Sequence, residues 1–284
     1  MSYAAVGHIT IDEMNEVRIG GSVVYGSLFA TGLGMRASIV SRVGRDMPEE
    51  FLAKLEEEGV DTSRVKRSCE RTTRFSISKG SYPLSLSSRC DNISVDDLSS
   101  LNADIIHLGP VANEINREVA LESIKISRIV LLDLQGILRV FDNGIKLSRG
   151  YLDEFLDLKV VVHLNDLEAI AATGKDVRGA LKELSRHFPI VAITLGRHGA
   201  LFSFPEGILY AEAPEVDAKD EVGAGDVFSA ALGIALFRGL ELEDLAKFSV
   251  ASATASTLYE GPCKIDENLI AELEGSVNVS WVEG

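Results

Sequence analysis

The chain alternates between short runs that are apolar throughout and longer segments whose apolar positions recur every three to four residues. The runs AAVGHITI (4–11), ASIVSRV (37–43), ADIIHLG (103–109), RIVLLDL (128–134), KVVVHL (159–164) and IVAITLG (190–196) read as strands buried on both faces. Between them, residues 22–33, 47–58, 114–125, 148–157 and 176–187 carry helical periodicity. This alternation predicts parallel βαβ units, and hence an α/β fold: a three-layer sandwich around a central, mostly parallel sheet. Residues 72–89, TTRFSISKGSYPLSLSSR, break the rhythm. They alternate polar and apolar around Gly80, which predicts a β-hairpin with one dry face and one wet face. It reads either as an edge hairpin or as a small flap that covers a substrate. Near the C-terminus, GAGDVFSAALGIALFRGL and LEDLAKFSVASATASTL form two helices rich in Ala and Ser. Small residues there suit close helix packing or the approach of a flat ligand. No repeat, low-complexity tract or linker interrupts the pattern, so residues 1–284 read as one domain with a flap around 72–89.

Charge and composition narrow the partners. The formal net charge is −15, the wrong sign for a nucleic-acid surface, which needs a basic footprint. A small anion is not excluded, since a few local groups decide its binding. No apolar run approaches the ~18 residues of a membrane span. The N-terminal MSYAAVGHITID lacks a basic leader and looks like a first strand, which points to the cytoplasm. Cys69, Cys90 and Cys263 have no metal-site spacing, and they read as free thiols of a reducing compartment.

The candidate chemistry lies in DAKDEVGAGDVFSAALGIAL, residues 217–236. After Asp226, the apolar stripe Val227, Ala230, Ala231, Ile234 and Ala235 marks a helix, so Gly223, Ala224 and Gly225 lie at its N-terminus. The first N–H groups of a helix have no internal partner, and the dipole there is positive. Glycines allow a ligand close to the backbone. Together they can form an anion hole. Asp226 would compete for the same donors unless its carboxylate projects away, toward an incoming hydroxyl. It could then serve as base while the amides hold a transferred phosphoryl group. An ordinary helix cap with a first-turn Asp explains the same residues, and both readings stay open on this stretch alone.

Four motifs in order favour the first reading. DEVGAGD (220–226), GGSVVYGSLFATGLG (20–34) followed by residues 38–65, HLNDLEA (163–169) and ITLGRHGALF (193–202) together resemble the ribokinase, or phosphofructokinase-B, family of carbohydrate kinases over nearly the whole chain. That resemblance implies a phosphotransferase that moves the γ-phosphoryl group of ATP to a hydroxyl of a sugar, cyclic polyol or nucleoside. Asp226 would be the base, and Gly223, Ala224 and Gly225 the phosphoryl cradle. Asn165 and Glu168 would hold Mg²⁺, mostly through water, although their spacing is equally that of a capping box. Thr194, Gly196 and Gly199 would line the nucleotide, and the Ala/Ser-rich helix around 251–256 its base. Asp220 resembles the start of a loop that binds a monovalent cation, K⁺, in some relatives.

On the substrate side, Asp12 ends the first strand, where ligands of parallel sheets sit, and would accept from substrate hydroxyls. Gly20 and Gly21 would let the substrate approach the backbone. Tyr25 departs from the Asn of many sugar-kinase relatives, which disfavours plain ribose or fructose. LLDLQGILR (131–139) resembles the Asp-x-Gln-Gly-x-x-Arg segment of archaeal-type members, including inositol kinases, and makes Gln135 and Arg139 candidates for substrate or phosphate contact. Myo-inositol or a sugar is the expected acceptor, with a nucleoside the runner-up and a non-catalytic ligand sensor the alternative from another class. The resemblance is compatible with a homodimer, but only seven residues separate Asp12 from Gly20, so the flap reads as reduced to the 72–89 hairpin. His8, His107 and His163 read as strand histidines with structural roles. GLGMRA (32–37) matches a dinucleotide fingerprint in letters only, because it follows a helix and precedes a strand.

Overall fold

The computed structural model describes residues 1–13, 16–76, 85–142 and 144–282. The chain begins with β1 (Ser2–Val6) and then steps off the main sheet into the antiparallel pair β2 (Thr10–Glu13) and β3 (Val17–Gly20). Helix α1 (Ser22–Gly32) leads back to β4 (Arg36–Gly44), and α2 (Glu49–Glu57) to β5 (Val60–Cys69). The short strands β6 (Arg74–Ser76) and β7 (Ser85–Ser88) follow, then β8 (Ile105–Leu108), α3 (Arg117–Ile126) and β9 (Ile129–Asp133). A helical turn, α4 (Gln135–Leu138), opens onto the hairpin β10 (Arg139–Phe141) and β11 (Ile145–Leu147), and α5 (Leu152–Phe155). Next come β12 (Val161–Asn165), α6 (Asp166–Thr173), α7 (Val177–Leu184) and β13 (Ile190–Thr194). The chain closes with β14 (Ala200–Phe204), β15 (Gly207–Glu212), α8 (Ala224–Arg238), α9 (Leu242–Ser256), α10 (Glu267–Glu274) and β16 (Asn278–Val282).

Ten strands form the central sheet in the order β16-β15-β14-β13-β12-β9-β8-β1-β4-β5. The strands from β13 to β5 run parallel, and β14 to β16 extend the sheet antiparallel. The parallel strands are buried because helices cover both faces. On one face, Phe29 of α1, Phe228 of α8 and Phe248 of α9 pack with Phe202 of β14. On the other, Val119 of α3, Phe155 of α5 and Leu181 of α7 pack over β8, β9 and β12. Local signals start the helices: Asn116 and Asp176 accept from the Val119 and Gly179 amides, and Asn165 with Glu168 forms a reciprocal capping box.

The three-layer α/β sandwich therefore holds, with corrections that bear on the site. The first expected strand, 4–11, is two strands. Chain direction changes after Val6, where the His8 amide donates to Glu114 Oε1 at 2.9 Å, so Asp12 belongs to the second sheet instead of ending the first strand. That second sheet has the order β3-β2-β6-β7. The flap is thus larger than the expected hairpin: β6 and β7 come from it, but β2 and β3 complete it, with β2 beside β6 in parallel. The hairpin's turn at Gly80 lies outside the described residues. The helix expected at 148–157 shortens to α5, and the antiparallel edge was not read from the pattern at all. Among the described residues no helix is long and apolar enough to cross a membrane.

The free-thiol reading also needs correction. Cys69 at the end of β5 and Cys90 after β7 form a disulfide, with Cα atoms 5.6 Å apart, and only Cys263 is free. Sequence spacing missed it because the pair is 21 residues apart and is brought together by the flap's return to the sheet edge. Alkylation of the unfolded, unreduced protein should therefore modify one cysteine, and three after reduction. Reduction should lower stability by about 3 kcal/mol, the value for closing a loop of this length. Three reactive thiols before reduction would contradict the pairing.

Candidate active site

A cavity of about 1020 Å³ opens along the C-terminal ends of β9, β12 and β13, whose last residues Asp133, Asn165 and Thr194 all line it. This is the end of a parallel sheet at which ligands bind, because loops and helix N-termini converge there. Helix α8 points its N-terminus into the same cavity, so Gly223, Ala224, Gly225 and Asp226 share the lining with Gln135, Glu168, Gly196 and Gly199.

Gly223 caps α8 with φ 83°, a left-handed conformation that glycine adopts without strain. A Cβ there would lie 2.2 Å from the ring of Tyr25, so the turn rests directly on that ring. The Ala224 N–H is taken, at 3.3 Å, by the Glu221 carbonyl. The Gly225 and Asp226 amides have no hydrogen-bond partner among the described residues. The helix tip therefore offers two adjacent bare donors, on Gly225 and Asp226, at the positive end of a 15-residue helix.

Asp226 is half-buried at the floor of the cavity, and among the described residues it forms no ion pair. Its Oδ1 accepts from Gln135 Nε2 at 3.1 Å. Burial and then repulsion from Asp133 push its carboxyl up to about 6, against the pull of His107, the Ser22 hydroxyl and His163. A carboxylate with that value, bare on one side and steadied on the other, suits proton abstraction near neutral pH.

Beneath it lies a buried polar chain that the sequence reading did not assemble. Tyr3 Oη is 2.6 Å from His107 Nδ1, and His107 Nε2 is 2.6 Å from Asp133 Oδ2. His163 Nδ1 is 2.8 Å from Asp133 Oδ1, and His163 Nε2 is 3.1 Å from Thr194 Oγ1. The hydroxyls of Ser22 (3.3 Å) and Ser229 also donate to Asp133. Burial acts to raise the Asp133 carboxyl, but His107 and His163 hold it well below the usual carboxylate range. The missed signal was an acid closing an apolar strand, RIVLLD, the same cue that singled out Asp12. His163, read as a strand histidine, lines the cavity, with Cε1 3.3 Å from where a Gly225 Cβ would be.

Of the expected substrate residues only Gln135 lines this cavity; Asp12, Gly20, Gly21, Tyr25 and Arg139 lie outside its lining. Arg139 Nη2 donates to Gln135 Oε1 at 3.2 Å, which links it through Gln135 to Asp226. Arg139 is buried, donates to the Val111 carbonyl at 3.0 Å and lies 5.7 Å over the Phe75 ring of β6. Its Nε has no partner, and no carboxylate among the described residues forms an ion pair with it. Asp12 is buried in β2 and accepts from Thr10 Oγ1 at 2.8 Å. Burial pushes its carboxyl up to about 6, opposed by Thr10 and Arg139. Gly20 lies under Asp12: a Cβ would fall 2.0 Å from Asp12 Oδ2. Gly21 caps α1, and its missing Cβ makes room for the His8 carbonyl. Asp220 accepts from Arg18 Nη1 of β3 and the Gly261 amide, each at 3.1 Å, and from the Val222 amide at 3.0 Å, tying the flap to the loop before α8.

On the donor side, Asn165 and Glu168 stand at the rim as the capping box, with Glu168 buried and its carboxyl raised by burial despite the Asn165 amide. One Glu168 oxygen bonds the Asn165 amide at 2.9 Å. No cluster of three or more His, Cys, Asp or Glu groups able to hold a metal occurs among the described residues. Asn165 and Glu168 offer oxygen ligands of the hard kind that Mg²⁺ takes while keeping its own waters. Gly199, beneath the Ala211 carbonyl, shapes the turn after β13, and the apolar wall beyond consists of Pro214, Val216, Ala218, Val250 and Ala253.

Residues 135–268 match the model of the pfkB family carbohydrate kinases. A Pyrococcus horikoshii protein named as a sugar kinase is 27% identical over 91% of this chain and 90% of its own. The cytidine kinase of Thermococcus kodakarensis is 25% identical over 89% of this chain and 95% of its own. Among solved structures, a pyrophosphate-dependent kinase of the ribokinase family, complexed with a pyrophosphate analog and myo-inositol, superposes with a TM-score of 0.81 at 22% identity, covering 95% of this chain and 99% of that one. A fructokinase from Vibrio cholerae with fructose, ADP and calcium bound superposes at 0.80 and 18% identity, covering 96% and 99%. The cavity at the sheet's C-terminal edge, the fold and these matches lead to one assignment: residues 135–268 carry a PfkB-family carbohydrate kinase domain, and the protein is a phosphotransferase.

Proposed function

We propose that the protein transfers the γ-phosphoryl group of ATP to a hydroxyl of a small cyclic polyol, myo-inositol being the best candidate. The observation that carries this reading is the meeting of Asp226 with the two bare amides of Gly225 and Asp226 at one helix tip. Asp226 accepts the proton of the attacking hydroxyl. The amides face the charge that develops on the transferred group, with no reorganisation at the moment of reaction. Gln135 steadies the base at 3.1 Å, and Arg139 behind it brings an unpaired positive charge to the same corner. Asn165 and Glu168 at the rim would hold a Mg²⁺, which would neutralise charge on the phosphates.

The acceptor side supports a polyol. Asp12, raised to about 6, and the Gln135–Arg139 pair offer an acceptor and donors from two directions, which suits a ring with several hydroxyls. The similarity to a structure with myo-inositol bound, and to the inositol 3-kinase of Arabidopsis thaliana at 24% identity over 91% of this chain, points the same way. The cytidine kinase relative makes nucleosides the second acceptor class to test. For the donor, the apolar wall beyond Thr194 gives a purine somewhere to lie, which favours ATP over pyrophosphate.

A panel of myo-inositol, ribose, fructose and cytidine, each with ATP or pyrophosphate, tests the assignment. The expected winner is myo-inositol with ATP; preference for cytidine would move the protein to the nucleoside branch. Asp226→Asn should lower kcat by at least ~10²-fold, as loss of a general base does, while ATP binding persists. Near-normal turnover in that variant would remove Asp226 from the mechanism. Because the carboxyl must lose its proton to act, kcat/KM should rise with pH through about 6 and level off above it; a flat profile down to pH values well below 6 is the contrary result. Gly20→Ala should raise the KM for the acceptor roughly tenfold or more by displacing Asp12, with the ATP KM little changed. Equal effects on both substrates would place Asp12 elsewhere than at the acceptor.

A further inference from the structure

The buried chain below Asp226 has a direction that its atoms impose. Asp133 is an acceptor only, and both of its oxygens face imidazoles: His107 Nε2 at 2.6 Å and His163 Nδ1 at 2.8 Å. Ser229 Oγ also lies 2.8 Å from His163 Nδ1, but its one hydrogen goes to Asp133 Oδ1, so there it can only accept, and each of the two imidazole nitrogens carries a hydrogen. Ser229 supplies a third donor, and the Ser22 hydroxyl, 3.3 Å away and shared with Asp226, lies beside it, so one buried negative charge is well matched, the condition under which a buried carboxylate is tolerated. At one end, Tyr3 is fully buried, and burial holds its phenol protonated. It donates to His107 Nδ1, whose hydrogen already sits on Nε2. At the other end, His163 has its hydrogen on Nδ1, so Nε2 is bare and takes the Thr194 hydroxyl proton at 3.1 Å. Every member is satisfied with a single charge in the network.

We propose that Asp133 is a positioning residue for the phosphoryl-donor side: it fixes His163 in the tautomer with hydrogen on Nδ1, turns the Thr194 proton inward and leaves only oxygen lone pairs of Thr194 facing the cavity. A ligand group seated against Thr194 must then bring a hydrogen, as an amine, a hydroxyl or a coordinated water does. A bare phosphate oxygen would set lone pair against lone pair. Asp133 touches no substrate in this scheme; it acts through His163, which also packs behind Gly225. The kinetic consequence rests on the donor-side reading of the cavity, whereas the tautomer does not.

Long-range ¹H–¹⁵N spectra of the ¹⁵N-histidine-labelled protein, without ligands and near neutral pH, read the tautomer directly. His163 should carry its hydrogen on Nδ1, and in folded Asp133→Asn that preference should weaken or reverse. In the same variant the ATP KM should rise about fivefold, the worth of one mispaired hydrogen bond, with the acceptor KM within about twofold of wild type. Cooperative thermal unfolding would confirm that the variant is folded. Hydrogen on Nε2 of His163 in the wild type overturns the proposal, and so does a folded variant with an unchanged ATP KM. If Asp133→Asn does not fold, the wild-type spectrum decides alone. A protein with no kinase activity but the Nδ1 tautomer would sink the functional reading and leave the Asp133 assignment standing.

Discussion

A helix that starts inside a cavity has amide groups to satisfy, and this protein leaves two of them, on Gly225 and Asp226, without a protein partner. Such an end is tolerable only beside water or an anion. The rest of the site follows from keeping it bare. Tyr25 fills the space under Gly223, so a side chain at that position would push the turn away. Gln135 draws the Asp226 carboxylate sideways at 3.1 Å, which keeps it from capping its own helix. The sheet places the ends of β9, β12 and β13 opposite the tip, and their last residues close the floor.

Two carboxylates at the floor have opposite fates for physical reasons. Asp133 has two imidazoles and two hydroxyls, and stays ionised in a dry environment. Asp226, pushed up by burial and by Asp133's charge and with only the Gln135 amide and a shared Ser22 hydroxyl to offset them, has its carboxyl raised to about 6. Neighbouring acids pushed apart in this way divide the work between a permanent charge and a proton acceptor. The flap joins the same economy of charge. Arg18 of β3 reaches Asp220, and Phe75 of β6 covers Arg139, so the second sheet is tied to the helix-tip loop and to the Gln135–Arg139 pair.

Much of this was legible in the sequence, and unevenly. The apolar runs located β4, β8, β9, β12 and β13 to within two residues at each end, because parallel strands covered on both faces leave little room for polar positions. Gly223 to Asp226 stood out because glycines before an amphipathic stripe mark a helix start. Asn165 and Glu168 were visible for their capping-box spacing, and they do form that box. What local pattern cannot carry is distance along the chain. Asp12 looked like the end of β1, since nothing in AAVGHITI announces the turn at Gly7 that sends β2 into the flap. The Cys69–Cys90 link and the Asp133 cluster join residues from separate elements, and Asp133 meets His107, 26 residues away, and His163, 30 residues away. Individually, each of those histidines is an unremarkable strand residue.

The central claim is that the α8 tip, with its two bare amides, is built for a phosphoryl group in flight. Calorimetric titration of ADP with and without aluminium fluoride, in the presence of Mg²⁺ and a polyol that is turned over, tests it most directly. Planar fluoroaluminate mimics the transferring group, and transition-state mimics bind at least ~10²-fold more tightly than ground-state ligands. The account predicts a gain of that order for the ADP–fluoroaluminate–polyol complex. ADP affinity that fluoroaluminate leaves unchanged would mean that the helix tip does not hold the group it is proposed to hold.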